Sequence, residues 1–598
     1  MLALLLSLSI LSPALADTNC VVCVLGLALV QQLNNTFTSD PEKDCKALGF
    51  CSSAPADATC TLFNGTWPVR PAPFPTDGGA TDGRRALAAA PPAATAPLAR
   101  EDVLAFLAHL AAAPADGATE GLYGVVSAFS RYVVSRALPT FTPPCSDGLD
   151  VVCDFERPFS LHLPMVDHDG DAHSGDPLAG DFLTLHFRGR SWSGRDCNDS
   201  DSTVYPGRLG EPGSSDNNCN GIYGTDPVSG TPYEELFCSG ANAPMGFAIV
   251  GDSATAHFHI PPQYLNAPTF NLSNILEMAA NEADWPACSW ATAFRNASSG
   301  ACPTLHFMPN GTETASFYQR WVARNRCAHR DYTNIGVNGA RTGSMKPPNG
   351  VINALTRNAS ADSPLLLLFS LIGNDVCNGH PGTSQMTTVA EFQANVISSL
   401  DYLEATLPAG SHVAFLGLAD GRVLYDTTQS RTHPLGVPFP SVYNFLDCNG
   451  CSPCWGWLNV NSTWRDATSA RAAALSAVYP QIIAANSSRY TKFDMYNFNV
   501  NWPAFIADYA AAGGDPFDLI EPVDGCAFAW ERGARLPFHL LTPFLLPSSL
   551  AVHPSQTGNM LLADILWKDL AANKPDWLPP INPNNDKIQQ LFGDQGGY

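Results

Sequence analysis

Three short apolar runs, GFAIV (246–250), PLLLLFSLI (364–372) and HVAFLGL (412–418), constrain this chain more than any other feature. Each suits a strand buried on both faces. The stretches between them are long enough for crossovers, and in one of these Phe392, Val396, Leu400, Leu403 and Leu407 mark a single helical face at the 3.6-residue period. Further helices are expected at 466–485, 503–511 and 556–571. Strands alternating with helices from about Pro244 onward predict an α/β fold with a parallel sheet sandwiched by helices.

At 598 residues the chain exceeds what a single core usually fills, so smaller modules are expected in front of that sheet. Residues 1–16 form an apolar run ending in Ala14-Leu15-Ala16, a small-residue cleavage pattern that predicts a signal peptide and a secreted or vesicular protein. Eighteen cysteines and nine Asn-x-Ser/Thr sites agree with an oxidising secretory route, in which most thiols form disulfides. A formal charge of −23 repels phosphate backbones and argues against a nucleic-acid partner.

Residues 17–60 open with CVVCVLGLALVQQL and close with Cys45, Cys51 and Cys60. This resembles a saposin-type module, a likeness that implies bridges Cys20–Cys51 and Cys23–Cys45 around lipid-binding helices. The middle hairpin of such modules is absent, so a plain disulfide-stapled helix pair stays open. Residues 61–144 turn to Ala, Pro and Gly and read as a linker or propeptide, with one helix near Glu101–Ala112 and a candidate processing site at Arg84-Arg85.

The segment 145–240 is acidic: between Asp147 and Asp226 fifteen carboxylates face five Arg and no Lys. Asp167, Asp169 and Asp171 alternate beside Gly170, and DCNDSDSTVYPG followed by SDNNCNG adds Asp196, Asn198, Asp199, Asp201, Asp216, Asn218 and Asn220. So many oxygen ligands favour Ca2+ over zinc or magnesium. The plain alternative is a solvated acidic loop. Cys197 and Cys219 are placed to cross-link the two clusters.

The strand GFAIV runs into Gly251-Asp252-Ser253, which sets a serine hydroxyl at the carboxyl edge of the sheet, where open α/β folds hold ligands. NIGVNGA (334–340) and Gly373-Asn374-Asp375 follow in the order found in GDSL/SGNH hydrolases, a family this chain resembles. The resemblance implies Ser253 as nucleophile, with Gly339, Asn374 and the Ser253 N–H receiving the oxyanion. It also implies a histidine base three residues after an aspartate. His553 precedes a predicted helix, yet position 550 is Leu550; deleting 526–551 would join Asp524-Gly525 to Val552-His553 and restore that spacing, so 526–551 is read as an insertion and Asp524 as the orienting acid. His257, His259 and His433 are weighed as rival histidines, the first two expected on the helix after Ser253.

GDSATAHFHI, HRDYTNIGVNGA, LIGNDVCNG, SHVAFLGLADG, LIEPVDG and the closing LFGDQGGY further resemble the acyloxyacyl hydrolase family of such lipases. That likeness implies release of secondary acyl chains from the lipid A of bacterial lipopolysaccharide, transient contact with a membrane or micelle surface, and two disulfide-linked subunits cut from one precursor, with Cys60 joined to Cys145 or Cys153. A broader phospholipase or acyltransferase stays open, as does a lipid-binding protein disabled by the insertion.

Overall fold

The computed structural model describes residues 162–598 apart from 165, 176–187, 190, 212, 214, 260–283, 299, 348–349, 378–380, 434–436, 449–451, 453 and 522–552. The expected signal peptide, saposin-like module, linker and insertion, together with Asp524 and the bridges drawn for Cys20, Cys23, Cys45, Cys51 and Cys60, lie outside these residues.

Five strands form one parallel sheet: β1 (Gly246–Gly251), β2 (Tyr332–Gly336), β3 (Leu365–Ser370), β4 (Ser411–Leu416) and β5 (Phe493–Phe498), in the order β2-β1-β3-β4-β5. Register is continuous, with Gly251 opposite both Gly336 and Ser370. The chain winds one way from β1 to β2 and the other way from β3 onward. A crevice therefore opens between the carboxyl ends of β1 and β3, the usual place for a ligand in a doubly wound sheet.

Strand side chains alternate faces, so each half of the sequence pattern feeds a different core. Ala248, Val250, Leu367, Phe369, Val413 and Phe415 pack with Phe392, Val396, Leu400 and Leu403 of the helix Val389–Thr406 and with Tyr479. Phe247, Ile249, Leu366, Leu368 and Leu416 pack on the other face with Trp290, Phe317, Trp321 and with Leu562, Leu566 and Leu570 of the helix Gln556–Asn573. Thr388 starts the first of these helices with a reciprocal capping box to Glu391. Four disulfides close the described part: Cys197–Cys219, Cys238–Cys327, Cys288–Cys302 and Cys377–Cys454. Among the described residues no helix is long and apolar enough to cross a membrane.

The helix expected at 466–485 is two helices, Ser462–Ser476 and Val478–Asn486. Pro480 explains the restart, since a proline is tolerated in a first turn but not in an interior. Leu368, 1% exposed, lies in a central strand. Leu368→Ala is expected to lower unfolding free energy by about 2–5 kcal/mol, read from the denaturant midpoint of the full chain.

Candidate active site

At the end of β1 the packing leaves no room for a side chain. A Cβ on Gly251 would overlap Thr255 Oγ1 and the Ser370 carbonyl. Asp252 then caps the one-turn helix Ser253–Ala256 by accepting the Ala254 N–H at 3.1 Å. Its other carboxylate oxygen accepts the Ile372 N–H at 2.9 Å. Burial pushes the Asp252 carboxyl up to about 7, against the pull of the N–H groups of Ile372, Ala254 and Gly373. Ser253, 4% exposed, is the first residue of that helix, where backbone N–H groups point off the helix end.

The other two blocks are hydrogen-bonded to this turn. Val337 N–H donates to the Gly251 carbonyl at 3.1 Å, and Asp252 N–H donates to the Ser370 carbonyl at 3.3 Å. Gly339 takes a φ of 76°, a left-handed conformation that suits glycine. The Asn374 amide donates to the Ala340 carbonyl at 3.1 Å, and Asp375 holds the Thr342 N–H and hydroxyl. The loop with Gly339 is thus fastened to the loop with Asn374, both over the crevice.

His553 enters from the far end of the chain. It is 4% exposed and stands just before the helix Gln556–Asn573, which Ser555 caps. Glu521 N–H donates to the His553 carbonyl at 2.9 Å, Ser555 N–H donates to Leu519, and Ile520 bridges Pro554 in antiparallel fashion. The His553 ring lies 4.6 Å from the ring of Phe258, five residues after Ser253. Trp290 ties the two regions further: its backbone N–H donates to Asn559 and its indole to the Ala254 carbonyl. Burial pushes His553 down to about 3, so its ring is neutral near neutral pH, the form a proton acceptor needs.

The other histidines depart from the expected placement. The helix stops at Ala256, His257 adopts a left-handed φ of 59°, and His259 lies beyond it. Trp285 holds both, its N–H donating to the His257 carbonyl and its indole to the His259 carbonyl. Neither ring nitrogen of buried His257 has a hydrogen-bond partner. His259 Nδ1 sits 3.1 Å from Glu521 Oε1. His433 packs on the ring of Phe439 instead. Sequence reading passed over Asp252, Glu521 and Asp284, whose carboxylate accepts the Asn338 amide. Glu521 stands in the same EPVDG stretch as Asp524, but nothing local in the sequence pairs it with His259.

Of the expected cation ligands, five converge. Asp167, Asp169 and Asp199 form one group, and Asp169, Asp171 and Asp196 a second, each offering oxygens within 4.8 Å of one another. Oδ2 of Asp169, Asp171 and Asp196 is buried without a hydrogen-bond partner. Burial first, then neighbouring carboxylates, push Asp171 up to about 8 and Asp196 up to about 6. The remaining residues do not join the two groups. Asn198 accepts from Ser200, and Asp201 caps Thr203. Asn218 and Asn220 donate their amides to Glu234, while Asp216 accepts the Gly221 N–H.

A serine at the head of a one-turn helix, an amide and a glycine loop fastened to each other, and a buried neutral imidazole packed on Phe258 five residues after that serine are the parts that a serine ester hydrolase of the GDSL class uses. The profile of the GDSL-like Lipase/Acylhydrolase family matches residues 247–566. The chain is 39% identical to the acyloxyacyl hydrolase of Oryctolagus cuniculus over 73% of its own length and 69% of that protein. Identity is 38% to those of Mus musculus and Homo sapiens, with the same coverage. The chain belongs to the acyloxyacyl hydrolase family and is a carboxylic ester hydrolase.

Buried neutral histidines give stability a defined pH dependence. His553, with a folded value near 3 against an unfolded value of about 6.5, excludes a proton that the unfolded chain binds. Its contribution is therefore complete above about pH 6.5 and is lost as pH falls toward about 3. His553→Gln is expected to lose less stability than the parent between about pH 7 and about pH 4.5, measured by denaturant unfolding at each pH.

Proposed function

We propose that this protein removes secondary fatty acyl chains from the lipid A part of bacterial lipopolysaccharide through a covalent acyl-enzyme. Ser253 Oγ attacks the ester carbonyl while His553 takes its proton. The tetrahedral oxyanion is received by the N–H groups of Ser253 and Gly339 and by the Asn374 amide. Collapse expels the hydroxyl-bearing lipid, to which His553 returns the proton. Water then attacks the acyl-serine with His553 again as base, releasing a free fatty acid and restoring Ser253.

The observation that carries this reading is the hydrogen-bonded closure of Gly251–Ser253, Val337–Ala340 and Ile372–Asn374 around one crevice. The name shared by three mammalian relatives supplies the acyloxyacyl linkage. The test is acyl release from lipopolysaccharide, with phosphatidylcholine in parallel. The parent is expected to prefer the former, and Ser253→Ala to lose at least about 10³-fold in rate. Faster release from phosphatidylcholine supports the broader phospholipase; no release from either by folded protein supports a lipid-binding role.

Asp524 as the orienting acid and 526–551 as an insertion belong to the same proposal. Glu521 and His553 meet at a backbone hydrogen bond, so the described residues on either side of 522–552 lie next to each other. Removing 526–551 leaves residues 522–525 and 552 to span that short gap, which five residues do readily. Exposed acceptor sites at Asn296, Asn310, Asn358 and Asn461 and the four disulfides support a secretory route. Processing into two linked subunits at Arg84-Arg85 rests on the family resemblance.

Calcium fits the acidic cluster because Asp169, Asp171 and Asp196 bring carboxylate oxygens within 4.8 Å of one another and each has a buried Oδ2 without a hydrogen-bond partner, and hard oxygen donors in a flexible loop suit that ion. Asp167, Asp169, Asp171, Asp196 and Asp199 would hold it. Bound there, it would neutralise their charge and hold the loop that Cys197–Cys219 closes. Chelation is expected to lower the melting temperature by several degrees and added calcium to restore it, followed by calorimetry. An unchanged melt would contradict a structural role.

A further inference from the structure

The nucleophile and the base reach the crevice from opposite ends of the domain, and one close approach of an imidazole to a carboxylate joins their segments directly. His259 Nδ1 and Glu521 Oε1 are 3.1 Å apart, with side chains 7% and 16% exposed. On one side the route from Ser253 to His259 is fixed at each step. Phe258 N–H donates to the Ser253 carbonyl, Phe258 bridges Asp284, and the Trp285 indole holds the His259 carbonyl. On the other side Glu521 N–H donates to the His553 carbonyl at 2.9 Å, next to the antiparallel bridge between Ile520 and Pro554. A shift of Glu521 is therefore passed through the backbone to the residue that carries the base.

The groups around Glu521 are His259, His257 and His306. Burial alone would push its carboxyl up, yet His259 and His257 hold it below the usual value. Such a contact is a weak source of net stability even when charged, because desolvation offsets the attraction. The distinguishing property of the His259–Glu521 contact is geometric: two polar side chains on two short segments fix one separation, whereas an apolar contact tolerates sliding.

Resting on the serine-hydrolase reading above, we infer that Glu521 and His259 are positioning residues that set the distance between the Ser253 hydroxyl and the His553 imidazole through their buried contact. Neither touches the ester. Their effect is on the alignment of the two groups that do, and a misplacement of about 1 Å in such an arrangement costs on the order of 10²-fold in rate.

The test measures kcat, KM and the thermal melt of full-length parent, Glu521→Gln, His259→Asn, the double variant and Glu521→Asp on lipopolysaccharide acyl release. Each single neutral variant is expected to lose about 10- to 100-fold in kcat with KM within about two-fold. The double variant should be no slower than the slower single, because one contact is being removed twice. Glu521→Asp should recover part of the loss, and it stands in for Glu521→Gln if the latter does not fold. Unchanged kcat in folded variants, or losses that multiply in the double, would overturn the inference. A purely structural role would lower the melt and leave kcat per folded molecule intact, which also overturns it. Ser253→Ala separates the two levels. Release that survives this change defeats Ser253 as the nucleophile; release that is lost in Ser253→Ala but unaffected in Glu521→Gln defeats only the positioning role.

Discussion

The buried carboxylate of Asp252 is the constraint on which the site depends. It accepts one N–H from the helix that begins at Ser253 and another from Ile372 just past β3. The two strands flanking the point where the winding reverses are thereby held at one level, and a turn that any slack would open is closed by two hydrogen bonds. Gly251 makes this possible, since its bare Cα lets Thr255 and Ser370 approach the strand end. The second block reaches the same knot through Val337, and the third fastens to the second through Asn374. What emerges is a rim of three loops whose separations are set by hydrogen bonds from backbone and side chains alike, as a preorganised oxyanion site requires.

Much of this frame was legible in the sequence. β1, β3 and β4 stood out because both of their faces are buried and their residues are almost all apolar. β2 and β5 did not. Asn334 in β2 is buried but polar, its amide donating to the Thr255 carbonyl and the Thr292 hydroxyl, and β5 is an edge strand with Asp494 exposed. The helix Val389–Thr406 was readable from five apolar positions because one side packs on the sheet and the other faces water.

The site divides in the same way. Ser253, Gly339 and Asn374 lie where strands end, so a local motif marks each of them. His553 was marked by the helix that follows it. Glu521 and His259 form a contact between residues 262 positions apart, and neither has a neighbour that signals the other. The acidic stretch shows the opposite limit: composition flagged ten oxygen-bearing residues, and only the fold distinguishes the five that converge from Asn218 and Asn220, whose amides are spent on Glu234.

The central claim is that Ser253 is a nucleophile activated by His553 in a single crevice. The most direct measurement is mass-spectrometric mapping of the adduct formed by a fluorophosphonate, which modifies a serine only when a neighbouring base activates it. The account predicts one adduct, on the peptide containing Ser253, that disappears in folded His553→Gln. An adduct on another serine, or undiminished labelling of Ser253 without the imidazole, would contradict it.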